Sequence, residues 1–230
     1  KGDIIIFLDC DVMVKNDFIF KHIQAHKEEK IAGVLSKISY TSNEVKDNYQ
    51  KYLVSSLRGN ISNKKLDKIH YKYFVMGCTS VKRSVLDKVG FFSEDLSDYG
   101  IDIDYAYRIF KKYHNQLYQD NQNVVFLKNL KNFDSVIIDI ESFGKGNLPK
   151  ILNKFPELSY LYKIQYVTIL DKKYIQFLMG SIFINNFSIY LLYSFAKHSS
   201  NFITNYSVRI LIGFKLLYSY KKYMKNKMLF

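Results

Sequence analysis

Ile4-Ile5-Ile6-Phe7-Leu8 is an unbroken apolar run, β-branched in its first half, that stops abruptly at Asp9-Cys10-Asp11. A run without polar alternation predicts a buried central strand rather than one with a wet face. In an open α/β sheet, ligands bind at the carboxyl ends of the strands, where these two carboxylates fall. Carboxylates one residue apart repel unless a cation or hydrogen-bond donors compensate. Hard oxygen ligands suit Mg²⁺ or Mn²⁺, either of which can bridge to a diphosphate. Taken alone, the same residues also read as a strand running into a polar turn, with Asp11 as the cap of the next segment.

The rest of the chain alternates. Residues 16–30 have helical spacing, and 31–36 read as a short strand. Residues 41–68 are rich in Lys, Asn and Ser around Tyr52-Leu53-Val54, which predicts a helix and a mobile loop. Residues 73–76 read as a strand closed by Gly77. From Arg83 a helix places Val85, Leu86 and Val89 on one face and ends at Gly90. A further helix near 102–113 carries an apolar stripe of Tyr105, Ala106, Ile109 and Phe110. Residues 124–127 and 136–140 are strand-like. This order predicts an α/β domain over residues 1–140 and a mostly helical region over 141–230.

Composition narrows the classes. With 48% hydrophobic and 24% charged residues, a disordered or collagen-like chain is excluded. Two cysteines, Cys10 and Cys78, cannot build a disulfide framework and point to a reducing compartment. The net charge of +13 is unevenly spread: nine basic and no acidic residues follow Asp171. Interleaved with Tyr, Phe, Ile and Leu, these charges suit an anionic lipid surface better than a nucleic-acid groove, and no nucleic-acid partner is expected. Residues 174–196 form a 23-residue stretch without a charge, flanked by Lys172-Lys173 and Lys197. Its length permits a membrane span. Gln176, Asn185, Asn186 and Ser188 inside it make mid-bilayer placement costly, so in-plane amphipathic helices and burial against the protein stand beside the span.

Two longer blocks carry a resemblance. The first runs Gly77-Cys78-Thr79-Ser80-Val81-Lys82-Arg83 through Val89-Gly90-Phe91-Phe92-Ser93-Glu94-Asp95-Leu96. The second is Tyr99-Gly100-Ile101-Asp102-Ile103-Asp104-Tyr105-Ala106-Tyr107-Arg108. With Gly2-Asp3 through Asp11 ahead of them, they resemble glycosyltransferase family 2, the inverting enzymes of the GT-A fold, over about residues 1–125. The resemblance implies a partial GT-A domain whose first strands and base pocket precede Lys1. It implies that a sugar is moved from a nucleotide-diphosphate donor to a glycan or lipid-linked acceptor, with a divalent cation, Mn²⁺ or Mg²⁺, at the cytoplasmic face of a membrane. By position, Asp9 matches the residue contacting the nucleoside, and Asp11 the metal-binding carboxylate, with both in the donor and metal set. Asp102 matches the catalytic base and Asp104 an acidic residue that holds the site's geometry. Gly77 and Cys78 match the turn under donor sugar and acceptor.

The chemistry is consistent with that assignment. Inverting transfer needs a carboxylate to take the acceptor's proton, and a helix N-terminus would hold Asp102 ionised. The sequence also departs from the pattern. Ile101 stands where the family has Glu, Phe91 where it has a second Gly, and no histidine lies between Asn115 and Lys197. An apolar strand followed by Asp-x-Asp resembles the haloacid-dehalogenase phosphatases too, with Asp9 as nucleophile, although nothing downstream supplies their other motifs. A non-catalytic, membrane-associated binding protein with a degraded transferase fold is the other alternative. Among the remaining candidates, His22 and His26 are expected on a helix surface, Cys10 is expected buried, and Arg108 is expected to anchor its helix to nearby carboxylates.

Overall fold

The computed structural model describes residues 2–40, 45–55, 64–97, 99–170, 172–200 and 202–227. Residues 41–44 and 56–63 of the expected loop lie outside the described residues. In chain order the elements are β1 (Ile4–Leu8), β2 (Val12–Met13), α1 (Phe18–Ala25), β3 (Gly33–Tyr40), α2 (Asn48–Val54), β4 (Leu66–Lys68), β5 (Cys78–Lys82) and α3 (Arg83–Val89). They continue with α4 (Ile101–Lys112), β6 (Leu117–Leu127), α5 (Phe133–Lys145), α6 (Asn147–Lys154), α7 (Tyr174–Phe183), α8 (Asn186–His198) and α9 (Phe202–Lys227). Two units emerge. The first joins Lys1–Val45, Arg58–Asp95 and Ile101–Leu130; the second joins Lys46–Leu57, Leu96–Gly100 and Lys131–Phe230.

The first unit is a mixed sheet with the strand order β1-β5-β3-β6-β2, and β4 also pairs with β6. The expected α/β class holds. Strands β1 and β3 both run antiparallel to β5, and β3 runs parallel to β6, so β1, β3 and β6 end on the same side. Strand β1 is not central, as its apolar run predicts, but stands at the end of the order among the described residues. Ile4 to Phe7 are half-buried and Leu8 is exposed; aromatic rings cover the strand at Phe7, which meets Phe92 and Tyr105 edge-on, with centroids 5.4 and 6.2 Å away.

Other expectations shift for local reasons. Residues 73–76 are not a strand. A 3-10 turn at Tyr71–Tyr73 leads to Phe74, whose ring fills the space over Gly33, where a Cβ would stand 2.6 Å from Cζ. The strand begins only at Cys78. Strand β6 starts seven residues earlier than 124. Its register on β3 shifts between Ser36 and Lys37, leaving Asn121, Gln122 and Asn123 without ladder partners there. Side-chain amides take over. Asn121 donates to Asp67 Oδ2 at 3.0 Å, and Asn123 donates to the Phe18 carbonyl at 3.2 Å. The polar run Gln119–Asn123 hides the strand from any test of alternation. Gly90 ends α3 with φ +80°, as expected of its C-terminal position.

Helix α1 inverts the usual pattern. His22 is fully buried and His26 nearly so, while Ile19, Phe20 and Ile23 are exposed. The expected surface histidines are therefore core residues. Their partners explain this: Ser36 on β3 and Ser80 on β5 are buried hydroxyls that need hydrogen bonds. His22 Nε2 lies 3.0 Å from Ser36 Oγ, its Nδ1 lies 2.7 Å from Ser80 Oγ, and His26 Nε2 lies 2.9 Å from Ser80 Oγ.

In the second unit, residues 136–140 are helical, not strand-like. Phe133, Val136, Ile140 and Phe143 are buried at spacings of three and four, and Asn132 caps the helix by accepting from the Ser135 N–H. Helix α2 opens with a reciprocal capping box between Asp47 and Gln50. The Asn48 amide donates to the carbonyls of Ala196 and Ser199, at 2.8 and 2.7 Å, and so closes the end of α8. Helices α5 and α9 approach closely at Gly144, where a Cβ would stand 2.9 Å from the Leu216 carbonyl oxygen. Beside it Glu141 accepts from Lys145 and Lys215, which hold its pKa down to about 2.

Burial holds both His22 and His26 down to about pKa 4, with His26 adding to the effect on His22 and Lys82 to that on His26. The unfolded chain therefore takes up protons near pH 6.5 that the folded core refuses. Stability is full above pH 6.5 and falls as pH drops toward 4, by on the order of 3 kcal/mol per histidine. Urea unfolding at pH 7.0 and 4.5 should show this loss, and His22→Gln should flatten it. Equal slopes in parent and variant would remove His22 from the account.

Candidate active site

The pairing of β1 with β5 sets Leu8 opposite Cys78. One step beyond, the Asp9 N–H donates to the Gly77 carbonyl at 2.9 Å. The chain then turns tightly, with the Val12 N–H donating to the Asp9 carbonyl at 3.3 Å, and enters β2 beside β6. Asp9, Cys10 and Asp11 thus occupy the turn at the carboxyl ends of the parallel strands. The Asp11 carbonyl accepts from the Lys128 N–H at 3.1 Å, which fastens the turn to the end of β6.

Gly77 lies under the Asp9 side chain. A Cβ there would lie 2.2 Å from Asp9 Oδ2, so the Asp9 carboxylate rests over the bare α-carbon. Asp9 itself is exposed and Asp11 half-buried. Cys10 between them is exposed, not buried as expected, because the turn presents position 10 to solvent. Cys78 is the reverse: 1% exposed, with its thiol toward the Ser36 carbonyl at 3.9 Å. Burial pushes that thiol up to about 12, and the charges of Asp9 and Asp102 add to the shift. Such a group is no nucleophile at neutral pH. What Cys78 brings to the site is its backbone.

Asp102 is the second residue of α4, inside the helix rather than capping it. Its pKa is raised, chiefly by burial; a hydrogen bond from the backbone at Met76 opposes this, and the charge of Asp9 adds to it. Burial and a like charge thus act against the helix N-terminus that is expected to hold Asp102 ionised. A carboxylate with a raised pKa is a stronger proton acceptor, as general-base chemistry requires. The Coulombic coupling of Asp9, Cys78 and Asp102 shows that three parts of the chain converge here.

Asp104 serves differently. It is fully buried, and its Oδ2 accepts from Arg108 Nε and from Ser93 Oγ, each at 2.9 Å. Arg108 also donates to the carbonyls of Val89 and Phe91. This ties α4 to the turn after α3 and so positions Asp102 two residues earlier. Arg108 anchors its helix as its spacing from Asp104 suggests; Ser93 carried no signal of its own. Ile101 opens α4 where the resemblance has an acid.

Among the described residues, no group of three or more His, Cys, Asp or Glu side chains could hold a metal ion. The carboxylates of Asp9 and Asp11 nevertheless suit an ion such as Mg²⁺, which is bound by one or two carboxylates and completed by water and substrate phosphate.

A strand-end carboxylate turn seated on a glycine thus lies near the half-buried Asp102 carboxylate of α4. Residues 1–90 match the model of Glycosyl transferase family 2. The resemblance read from Asp9-Cys10-Asp11 and from Gly77-Cys78 falls within that matched stretch. No curated protein matches the chain. Among solved structures the chain is similar to residues 1–349 of S. aureus TarS in complex with UDP-GlcNAc. Identity is 9% over 98% of this chain and 69% of that one, with a TM-score of 0.42.

The seat of Asp9 is testable. Gly77→Ala should displace the Asp9 carboxylate and weaken nucleotide-sugar binding by on the order of tenfold or more in calorimetry, about 1.4 kcal/mol. Gly2→Ala is the control, since its Cβ meets nothing closer than 3.5 Å. Equal affinity in the two variants would mean the carboxylate's position over Gly77 does not matter to binding.

Proposed function

We propose that this protein transfers a sugar, with inversion, from a nucleotide-diphosphate donor to a hydroxyl of a glycan or lipid-linked acceptor. The carrying observation is the convergence of Asp102 with Asp9 and the Gly77-Cys78 backbone at the carboxyl end of a sheet, the latter two inside the stretch that matches the family 2 model. Asp102 takes the acceptor proton as the hydroxyl attacks the anomeric carbon from the face opposite the leaving group. Its raised pKa suits that step. Asp9, propped over Gly77, orients the nucleoside end of the donor. Asp104 and Arg108 hold α4 in register with the turn. Mn²⁺ or Mg²⁺ held by Asp9 and Asp11 would neutralise the departing diphosphate.

On this reading the second unit docks the enzyme on the cytoplasmic face of a membrane. No described helix is long and apolar enough to cross alone, and α7 and α8 are bent by 68° at their junction. At 1.5 Å per residue, these helices of 10 and 13 residues each fall well short of a ~30 Å hydrocarbon core. Their outer faces are apolar, with Ile175, Ile182, Phe187 and Tyr190 all well exposed. With nine basic and no acidic residues after Asp171, this suits in-plane docking on anionic lipid.

Two measurements test these readings. Asp102→Asn should keep donor affinity and slow transfer by on the order of 10²–10⁴-fold; a parental rate in the folded variant would put the base elsewhere. Phe187→Glu should sharply reduce co-sedimentation with anionic vesicles, and unchanged sedimentation would remove α8 from the membrane face.

A further inference from the structure

Between α7, α9 and the turn before them, the second unit holds an open groove of about 680 Å³. That is the size of sites that enclose small molecules. Its walls are apolar: Met179, Phe183, Ile210, Phe214 and Leu217 among them. Two glycines shape it. Gly180 seats α7 directly on the backbone of the 3-10 turn Ile164–Tyr166, since a Cβ there would lie 1.6 Å from the Tyr166 carbonyl oxygen. Gly213 is unlike it. It sits inside the 26-residue α9, yet a Cβ there would meet nothing within 4 Å. Glycine in a helix interior is disfavoured relative to alanine, and no neighbouring atom demands one here. What the missing side chain leaves is open volume in the groove.

The groove is not uniformly apolar. Arg209 and Lys163 lie on its wall, and neither forms an ion pair with a carboxylate among the described residues. No acidic residue follows Asp171 to neutralise them. An apolar trough with two unpaired cations complements an amphiphile with a hydrocarbon chain and an anionic head.

We propose that this groove binds one anionic membrane phospholipid, with an acyl chain against Gly213 and Ile210 and the phosphate on Arg209 and Lys163. The membrane reading supplies the lipid's source; the binding rests on the groove itself. It would add a discrete lipid site to a docking that surface charge and the outer apolar faces supply by themselves.

The test uses the full chain and dioctanoyl phosphatidylglycerol below its micelle concentration, with dioctanoyl phosphatidylcholine and glycerol phosphate as comparisons, by calorimetry and native mass spectrometry. One phosphatidylglycerol should bind per chain, and glycerol phosphate should not. Gly213→Leu, which fills the open volume, should weaken binding at least tenfold while sedimentation with anionic vesicles persists. Arg209→Gln should erase the preference for phosphatidylglycerol over phosphatidylcholine. Phe187→Glu should do the opposite of Gly213→Leu, sparing the monomeric lipid and losing the vesicles, so failure of the groove and failure of the membrane reading separate. Should Gly213→Leu not fold, Ile210→Glu carries the same expectation. Absence of saturable binding, undiminished binding in the groove variants, equal binding of glycerol phosphate, or a dimer that Gly213→Leu dissolves would each overturn the proposal.

Discussion

The register of two antiparallel strands governs the site. Because Leu8 faces Cys78, Asp9 comes to rest against Gly77, and a carboxylate stands where any other residue at 77 would put a methyl or more. A one-residue slip would turn the alternating faces of both strands over and carry the carboxylate away from its seat. Ser80 of β5, bonded on one face to His22 and His26, makes that slip costly. The buried polar cluster of the first unit thus fixes the location of a charge it does not contain.

Helix α4 is held by a second constraint of a different kind. Breaking a buried ion pair leaves an uncompensated charge and is far more damaging than the net worth of the intact pair. The Asp104–Arg108 pair, with Ser93 and the carbonyls of Val89 and Phe91, therefore resists small displacements of the helix. Asp102 gains a fixed position from neighbours it does not touch, while its proton affinity comes from burial and from Asp9. Placement and basicity have separate origins.

How much of this was legible in the sequence depended on the kind of force involved. Local signals read well: Gly90 after an apolar helix face, the Asp104–Arg108 spacing, and the Asp9-Cys10-Asp11 and Gly77-Cys78 segments that fall inside the family match. Signals that depend on the partner read badly. Ile4–Leu8 has a central strand's composition, yet it stands at the end of the order because rings from elsewhere in its unit cover it. Residues 136–140 look like a strand in isolation, and only Phe133 and Phe143 reveal the helical period. His22 and His26 have the chemistry of a surface helix. What buries them is Ser36 and Ser80, contributed by two strands, one about ten and the other more than fifty residues further on.

Those four groups share more than burial. Ser80 has one hydroxyl proton and stands within hydrogen-bonding distance of two imidazoles, so it can donate to one ring only while accepting from the other. Whichever ring receives it must be unprotonated at that nitrogen, and in the neutral ring the proton sits on the other. For His22 that choice also decides whether Ser36 gives or takes. The tautomers of both rings and the rotors of both serines are thereby coupled through the single Ser80 hydroxyl. The core of the first unit carries a polarity along its hydrogen bonds that no arrangement of apolar side chains could encode.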